Sequence, residues 1–114
     1  MKKISLAVLL AFLSSCGTLH SVTTIEANKS FVLGKGNHGS YKAKVENVGN
    51  QPVEIFVQQK DNPNTTSLGI LRPGEKSVYP VKSNTMVMLK NLGNADAQMK
   101  LDVKGDTDLS MGYQ

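Results

Sequence analysis

The 114-residue sequence has no tryptophan, one cysteine, two histidines and only three each of phenylalanine and tyrosine. Each scarcity excludes something. One cysteine cannot close an intramolecular disulfide. His20 and His38, with no further ligand at metal spacing, do not make a zinc site. So few aromatic rings leave no sugar-stacking platform. No apolar run approaches the roughly 20 residues that span a bilayer. The formal charge of +4 comes without a Lys/Arg cluster, so the basic footprint of a nucleic-acid binder is missing. No G-x-S-x-G elbow marks a hydrolase nucleophile. What remains is ordinary globular composition, 39% hydrophobic and 19% charged, in a length that allows one domain.

The amino terminus carries the clearest pattern. Lys2-Lys3 form a short cationic start, and Ile4–Leu13 is apolar except for Ser5. These are the n-region and h-region of a secretory signal. A helix of that length rises about 15 Å, half the hydrocarbon core, so the stretch is too short for a membrane span. Leu13-Ser14-Ser15-Cys16 follows.

This arrangement resembles the lipobox of bacterial lipoprotein precursors: an aliphatic residue, two small residues, then cysteine. The likeness covers residues 1–16. It implies a cleaved signal peptide over residues 1–15, lipid attachment at Cys16 through a diacylglyceryl group, and acylation of the new amino terminus, as with palmitate. The bilayer is then the first partner. Gly17 stands where an aspartate would retain a lipoprotein in the inner membrane, which implies the outer membrane. Residues 17–25 hold no acid, which favours the periplasmic face. Without Lys2 and Lys3, eleven of the 13 basic residues face 9 acidic ones, a net +2.

Residues 16–24 are small and polar and are expected to form a lipidated tether, with one domain over residues 25–114. Period-2 alternation then recurs. Tyr41, Ala43 and Val45 alternate with Lys42, Lys44 and Glu46, and Val53, Ile55 and Val57 share a face after the turn Val48–Gln51, which predicts a hairpin. Ala97, Met99, Leu101 and Val103 alternate with Gln98, Lys100, Asp102 and Lys104. Leu109, Met111 and Tyr113 repeat the pattern. Met86–Leu89 is apolar on both faces, as in a central strand. Pro80 assigns Ser77–Val81 to an edge. Phe31–Leu33 and Leu68–Leu71 are shorter candidates. Turn residues at Gly34–Gly39, Asp61–Thr65, Pro73-Gly74 and Gly93-Asn94 separate them. No 3.6-residue apolar stripe occurs outside the signal. The expectation is an all-β fold, a small antiparallel β-sandwich of about seven to eight short strands.

Val45-Glu46-Asn47-Val48-Gly49 resembles the "V-x-N-x-G" strand end of bacterial immunoglobulin-like domains, and Leu71-Arg72-Pro73-Gly74-Glu75 resembles their "L-x-P-G-E" loop. The likeness implies an immunoglobulin-like sandwich. The turn chemistry gives both motifs a physical reason, a left-handed φ at glycine and a fixed φ at proline.

Other patterns carry less chemistry. Gly34-Lys35-Gly36-Asn37-His38-Gly39 matches G-x-G-x-x-G, but a strand pattern follows it where a dinucleotide site needs a helix. Glu26, Glu46, Glu54 and Glu75 make a carboxylate pair only if the fold joins them. Met86 and Met88 point to one face at strand period, and with Met99 and Met111 they form the candidate set for a soft-metal (copper) site; core filling is the plainer role. Lys42, Lys44, Lys100 and Lys104 line polar strand faces, where they protect edges or meet an anionic partner such as lipid head groups. Phe56 points away from Val53, Ile55 and Val57, towards a second layer or an exposed partner patch. Asn28-Lys29-Ser30 and Asn64-Thr65-Thr66 match glycosylation sequons, which a bacterial lipoprotein does not normally use.

The functional expectation is a non-catalytic structural or protein-interaction module of the bacterial cell envelope, an accessory subunit with an envelope protein partner, with no cofactor, no metal and no nucleic acid. The alternatives are a ligand- or copper-binding lipoprotein using the methionines, and a small hydrolase or inhibitor presenting the Asp61–Thr66 loop.

Overall fold

The computed structural model describes residues 18–114. The expected signal peptide over residues 1–15, Cys16 and Gly17 lie outside the described residues. Nine strands follow: β1 (Thr18–Ile25), β2 (Ser30–Leu33), β3 (Tyr41–Asn47), β4 (Val53–Gln59), β5 (Thr66–Leu71), β6 (Lys76–Val81), β7 (Thr85–Asn91), β8 (Ala97–Gly105) and β9 (Met111–Tyr113).

The alternating positions do what their period dictates. In β3 and β8 every apolar position is buried, and Lys42, Lys44, Lys100 and Lys104 face solvent. Leu33, Val45, Val53, Ile55, Leu89, Met99, Leu101 and Val103 are fully buried between the layers. Burying each such side chain contributes roughly 1.5–3 kcal/mol. β7 is central, flanked by β4 and β2, and the proline-bearing β6 is an edge.

The strands form two antiparallel sheets, a four-stranded one ordered β1-β8-β3-β6 and a five-stranded one ordered β5-β4-β7-β2-β9. Consecutive strands fall in opposite sheets, except that β4 pairs with β5. This winding is the double-sheet jelly roll, with β9 added beside β2. An immunoglobulin-like sandwich keeps its first two strands side by side in one sheet; here β1 and β2 are in different sheets. The all-β sandwich holds, and the immunoglobulin-like topology does not.

Two local expectations change with it. β3 and β4 are not a hairpin: β3 pairs with β6 and β8, and β4 with β5 and β7. Alternation says that both strands have one buried face, and they bury those faces in one core from opposite sheets. The stretch expected as a tether is strand β1, paired with β8 from Thr18 opposite Lys104 to Ile25 opposite Ala97. Its inward positions include Ser21 and Thr23, so the apolar contrast that marks a strand is weak there.

The two motifs expected to mark an immunoglobulin-like domain meet at one corner of the jelly roll. Asn47 is fully buried. Its Nδ2 donates to the carbonyls of Gln51 (2.7 Å) and Leu71 (3.0 Å), and its Oδ1 accepts from the Gly49 amide (3.1 Å). Its backbone amide donates to Glu75 O, and its carbonyl accepts from the Gly74 amide, each at 2.9 Å. The left-handed φ is at Gly74 (+86°). Gly49 is required by space: a Cβ there would lie 2.8 Å from the Gln98 backbone nitrogen.

The same corner occurs twice. Asn91-Leu92-Gly93-Asn94 repeats Asn47-Val48-Gly49-Asn50 with one conservative change. Asn91, also fully buried, donates from Nδ2 to Ile25 O (2.9 Å) and Ala95 O (2.7 Å) and accepts from the Gly93 amide (2.8 Å). Ile25 ends β1 as Leu71 ends β5, so the two halves of the roll are pseudo-symmetric.

Candidate functional site

The register separates the molecule into two ends. The asparagine corners sit at one end, with the β1–β2, β3–β4, β5–β6 and β7–β8 connections. The other end holds the start of β1 and the connections β2–β3, β4–β5, β6–β7 and β8–β9. Candidate chemistry collects at this second end.

An eight-stranded roll can hold a small ligand only if its interior keeps space and polar groups. The inward positions here form one continuous apolar cluster from Ile25 to Val103. At the mouth, His38 stacks at a tilt on Tyr41, with ring centroids 5.3 Å apart. Its Nδ1 lies 2.6 Å from Gly39 O and its Nε2 2.9 Å from Thr85 O. Both ring nitrogens therefore lie against backbone carbonyl oxygens of the chain itself. Among the described residues no group of three His, Asp, Glu or Cys side chains could hold an ion. The donor set does not fit a metal centre in the roll.

The mouth is held by residues with no signature in the sequence. Asn84, in a left-handed turn (φ 56°), accepts from the His38 amide at 2.8 Å through Oδ1. Asp106 accepts from the Gly39 amide at 2.5 Å and from the Asp108 amide at 3.0 Å. Gly34 takes φ +79°, and a Cβ there would meet the Tyr41 hydroxyl at 2.9 Å. The G-x-G-x-x-G segment is thus a loop folded over the roll's end, with no helix behind it.

Among the described residues Tyr41 Oη is buried without a hydrogen-bond partner, and burial pushes its pKa above the ordinary tyrosine value. An unpaired buried hydroxyl costs free energy that phenylalanine does not. Tyr41→Phe is expected to raise the unfolding free energy by about 1 kcal/mol, measured by urea denaturation. A loss of stability would mean that the hydroxyl has a partner in solution.

Asp106 and Asp102 both sit below the ordinary carboxylate value of 3.8. For Asp106 the main cause is the Gly39 amide, then the Asp108 amide. For Asp102 it is the hydrogen bond with His20, opposed by desolvation and assisted by the charges of His20, Lys100 and Lys44. The folded state thus favours both charged forms. That stability is present above the ordinary value and is lost as pH falls through the lower folded one. Thermal melts are expected to weaken on acidification below about pH 4, and less steeply in Asp106→Asn. Superimposable wild-type melts between about pH 6 and pH 3 would contradict this.

The remaining candidates disperse. His20 is in β1, opposite Asp102 and hydrogen-bonded to it through Nδ1, on the outer face of the four-stranded sheet. Glu46 lies on that face between Lys76 and Lys100. Glu54 lies on the outside of the other sheet, accepting from Ser67 Oγ at 2.7 Å. Glu75 accepts from the Arg72 amide in its turn, and Glu26 is in the β1–β2 loop. Met86 and Met88 face outward from β7, in register with Gln58 and Phe56, whereas Met99 is in the core and Met111 is exposed in β9. The structure brings together neither the carboxylates nor the methionine set.

The outer face of β1-β8-β3-β6 is the distinctive charged surface. Its cross-strand rows carry Lys100, Glu46 and Lys76, then Asp102 and Lys44, then Thr18, Lys104, Lys42 and Pro80. Lysines outnumber carboxylates, and Lys42 stands directly opposite Lys104. Like charges so placed destabilise a sheet. Lys82, just past β6, was not singled out from the sequence; only the register brings it beside Lys42.

No protein-family model matches the sequence, and no curated protein matches it. Among solved structures, the fold is similar to the Cnp3 cupin domain of Schizosaccharomyces pombe (TM-score 0.53, 15% identity, 80% of this chain and 55% of that one). It is similar to an uncharacterised conserved protein with a double-stranded β-helix domain from Klebsiella pneumoniae (TM-score 0.53, 10% identity, 85% of this chain and 76% of that one). It is also similar to hydroxypropylphosphonic acid epoxidase from S. wedmorenis (TM-score 0.50, 13% identity, 78% and 44%). The chain spans about half the length of the first of these. The two-sheet fold is therefore cupin-like, a double-stranded β-helix, which overturns the immunoglobulin-like resemblance in agreement with the strand order. The likeness is one of fold, which does not fix function.

Proposed function

We propose that this chain is a lipid-anchored, non-catalytic interaction module of the bacterial cell envelope, held by acylated Cys16 in the outer membrane, facing the periplasm, and serving as an accessory subunit to an envelope protein. The observation that carries the reading is the ordered series of cationic start, short apolar core and Leu13-Ser14-Ser15-Cys16. Three features support it. The inward positions form one apolar cluster without a cluster of candidate catalytic groups among the described residues. The candidate acids, histidines and methionines lie apart. Strand β1 includes Thr18, two positions after Cys16 in the sequence, so a lipid on Cys16 would hold the domain close to the bilayer.

In-cell crosslinking of the full-length protein, followed by mass spectrometry, tests the interaction reading. The expected result is one abundant envelope protein that disappears when residues 1–16 are replaced by a cleavable secretory signal without the cysteine. No partner above background in the anchored form would end the accessory-subunit reading.

A further inference from the structure

The lysine face and the start of β1 lie at the same end of the roll. Thr18 is opposite Lys104, and Lys104 is opposite Lys42 on the next strand. Cys16 is two residues before Thr18, so their Cα atoms are at most about 7 Å apart. Adjacent strands add about 4.8 Å each. Lys104 and Lys42 therefore start within about 12 Å and 17 Å of the cysteine's Cα. Lys82 follows Val81, which is opposite Tyr41, and joins them.

These three lysines rim a shallow depression of about 650 Å³ whose floor includes Pro80, Val81 and Gly105. All three are exposed. Among the described residues, none has a carboxylate within salt-bridge distance; the pairs are His20 with Asp102 and Lys60 with Asp61. Asp106, just after Gly105, is already committed to two backbone amides, and Asp102, on the same face, to His20. A cationic concavity beside the amino-terminal strand, with like charges facing each other and, among the described residues, no salt-bridged counter-ion, is complementary to a negatively charged surface that the anchor would bring to it.

We propose that the Lys42–Lys82–Lys104 depression seats on anionic phospholipid head groups, so that the anchored domain lies with the outer face of β1-β8-β3-β6 turned towards the bilayer. The inference rests on the anchoring reading for its biological setting, but the contact belongs to the folded domain alone. It also explains why Lys42 and Lys104 are tolerated opposite each other. Phosphate charges relieve the repulsion, and the asparagine corners at the far end stay free for a protein partner.

The test uses the Gly17–Gln114 domain, which contains all nine described strands and their whole core. Co-sedimentation with phosphatidylcholine vesicles is compared with the same vesicles containing phosphatidylglycerol. Binding is expected only with the anionic lipid and is expected to vanish near 1 M salt, where the Debye length shrinks to about 3 Å. Each lysine near an anionic surface changes affinity by about fivefold. The triple variant Lys42→Gln/Lys82→Gln/Lys104→Gln should therefore bind about a hundredfold more weakly. A charge-matched triple off that face, Lys29→Gln/Lys60→Gln/Lys90→Gln, should keep most of the affinity. Equal losses in the two triples would reduce the effect to net charge and overturn the site. Absence of phosphatidylglycerol-dependent binding by the folded wild-type domain would overturn it outright. Neither result touches the anchor, which is read separately from the mass of the Cys16 peptide.

Discussion

Asn47→Ala is expected to lower the unfolding free energy by about 3 kcal/mol and the melting temperature by about 15 °C. The side chain is fully buried and makes three hydrogen bonds to two backbone segments, the Gly49–Gln51 turn and the end of β5 at Leu71. Alanine removes all three and leaves the Gln51 and Leu71 carbonyls and the Gly49 amide short of partners. Each buried unsatisfied group costs roughly 1–3 kcal/mol, which water entering at the corner offsets in part. Against a total stability of about 5–15 kcal/mol, the loss is large. Asn91→Ala should behave alike, because Asn91 makes the same set of contacts in the second half of the roll. Asn94→Ala, at an exposed position in the same four-residue repeat, should change stability by no more than about 0.5 kcal/mol. The two corners touch: a Cβ on Gly93 would collide with the Gln51 side chain. The double variant should therefore depart from additivity. Urea denaturation of the four variants decides this, and losses below about 1 kcal/mol in both buried-site variants would show that the corners do not hold the roll.

The second large effect concerns location. Replacing residues 1–16 with a secretory signal that lacks cysteine is expected to move the protein from the membrane fraction to the soluble periplasm. Two acyl chains anchor a protein stably where one gives only marginal attachment, so the native form should survive a high-salt wash. The unlipidated form keeps only the lysine face. At about 1 kcal/mol per lysine, and with salt screening those charges, any residual attachment should wash off. Fractionation with and without about 1 M salt separates the two contributions. A native protein that leaves the membrane in salt would count against a lipid anchor.

The sequence patterns carried the strand content and the inward and outward faces of β3 and β8, because period-2 alternation of Ala97–Lys104 against its lysines has one physical solution. They also carried the edge position of β6 through Pro80 and the central position of β7 through Met86–Leu89. Sheet membership was not legible. Val45 and Val53 look the same whether their strands pair in one sheet or face each other across a core, and so a hairpin was expected where the chain crosses between sheets. β1 escaped notice because Ser21 and Thr23 replace the apolar residues that signal an inward face. Asn47 and Asn91 stood within visible turn sequences, and the repeat of Asn-x-Gly-Asn was the available signal for them. The cationic site was legible in part: Lys42 and Lys104 alternate on polar faces, but only cross-strand register sets them opposite each other and beside Lys82. His38, Tyr41, Asn84 and Asp106 converge through long-range contacts that no local spacing encodes.

The most direct test of the central claim is the mass of the amino-terminal peptide of the protein isolated from its native membrane. The expected peptide begins at Cys16 and carries a diacylglyceryl group together with an amide-linked acyl chain. An unmodified peptide, or one beginning at any other residue, would contradict it.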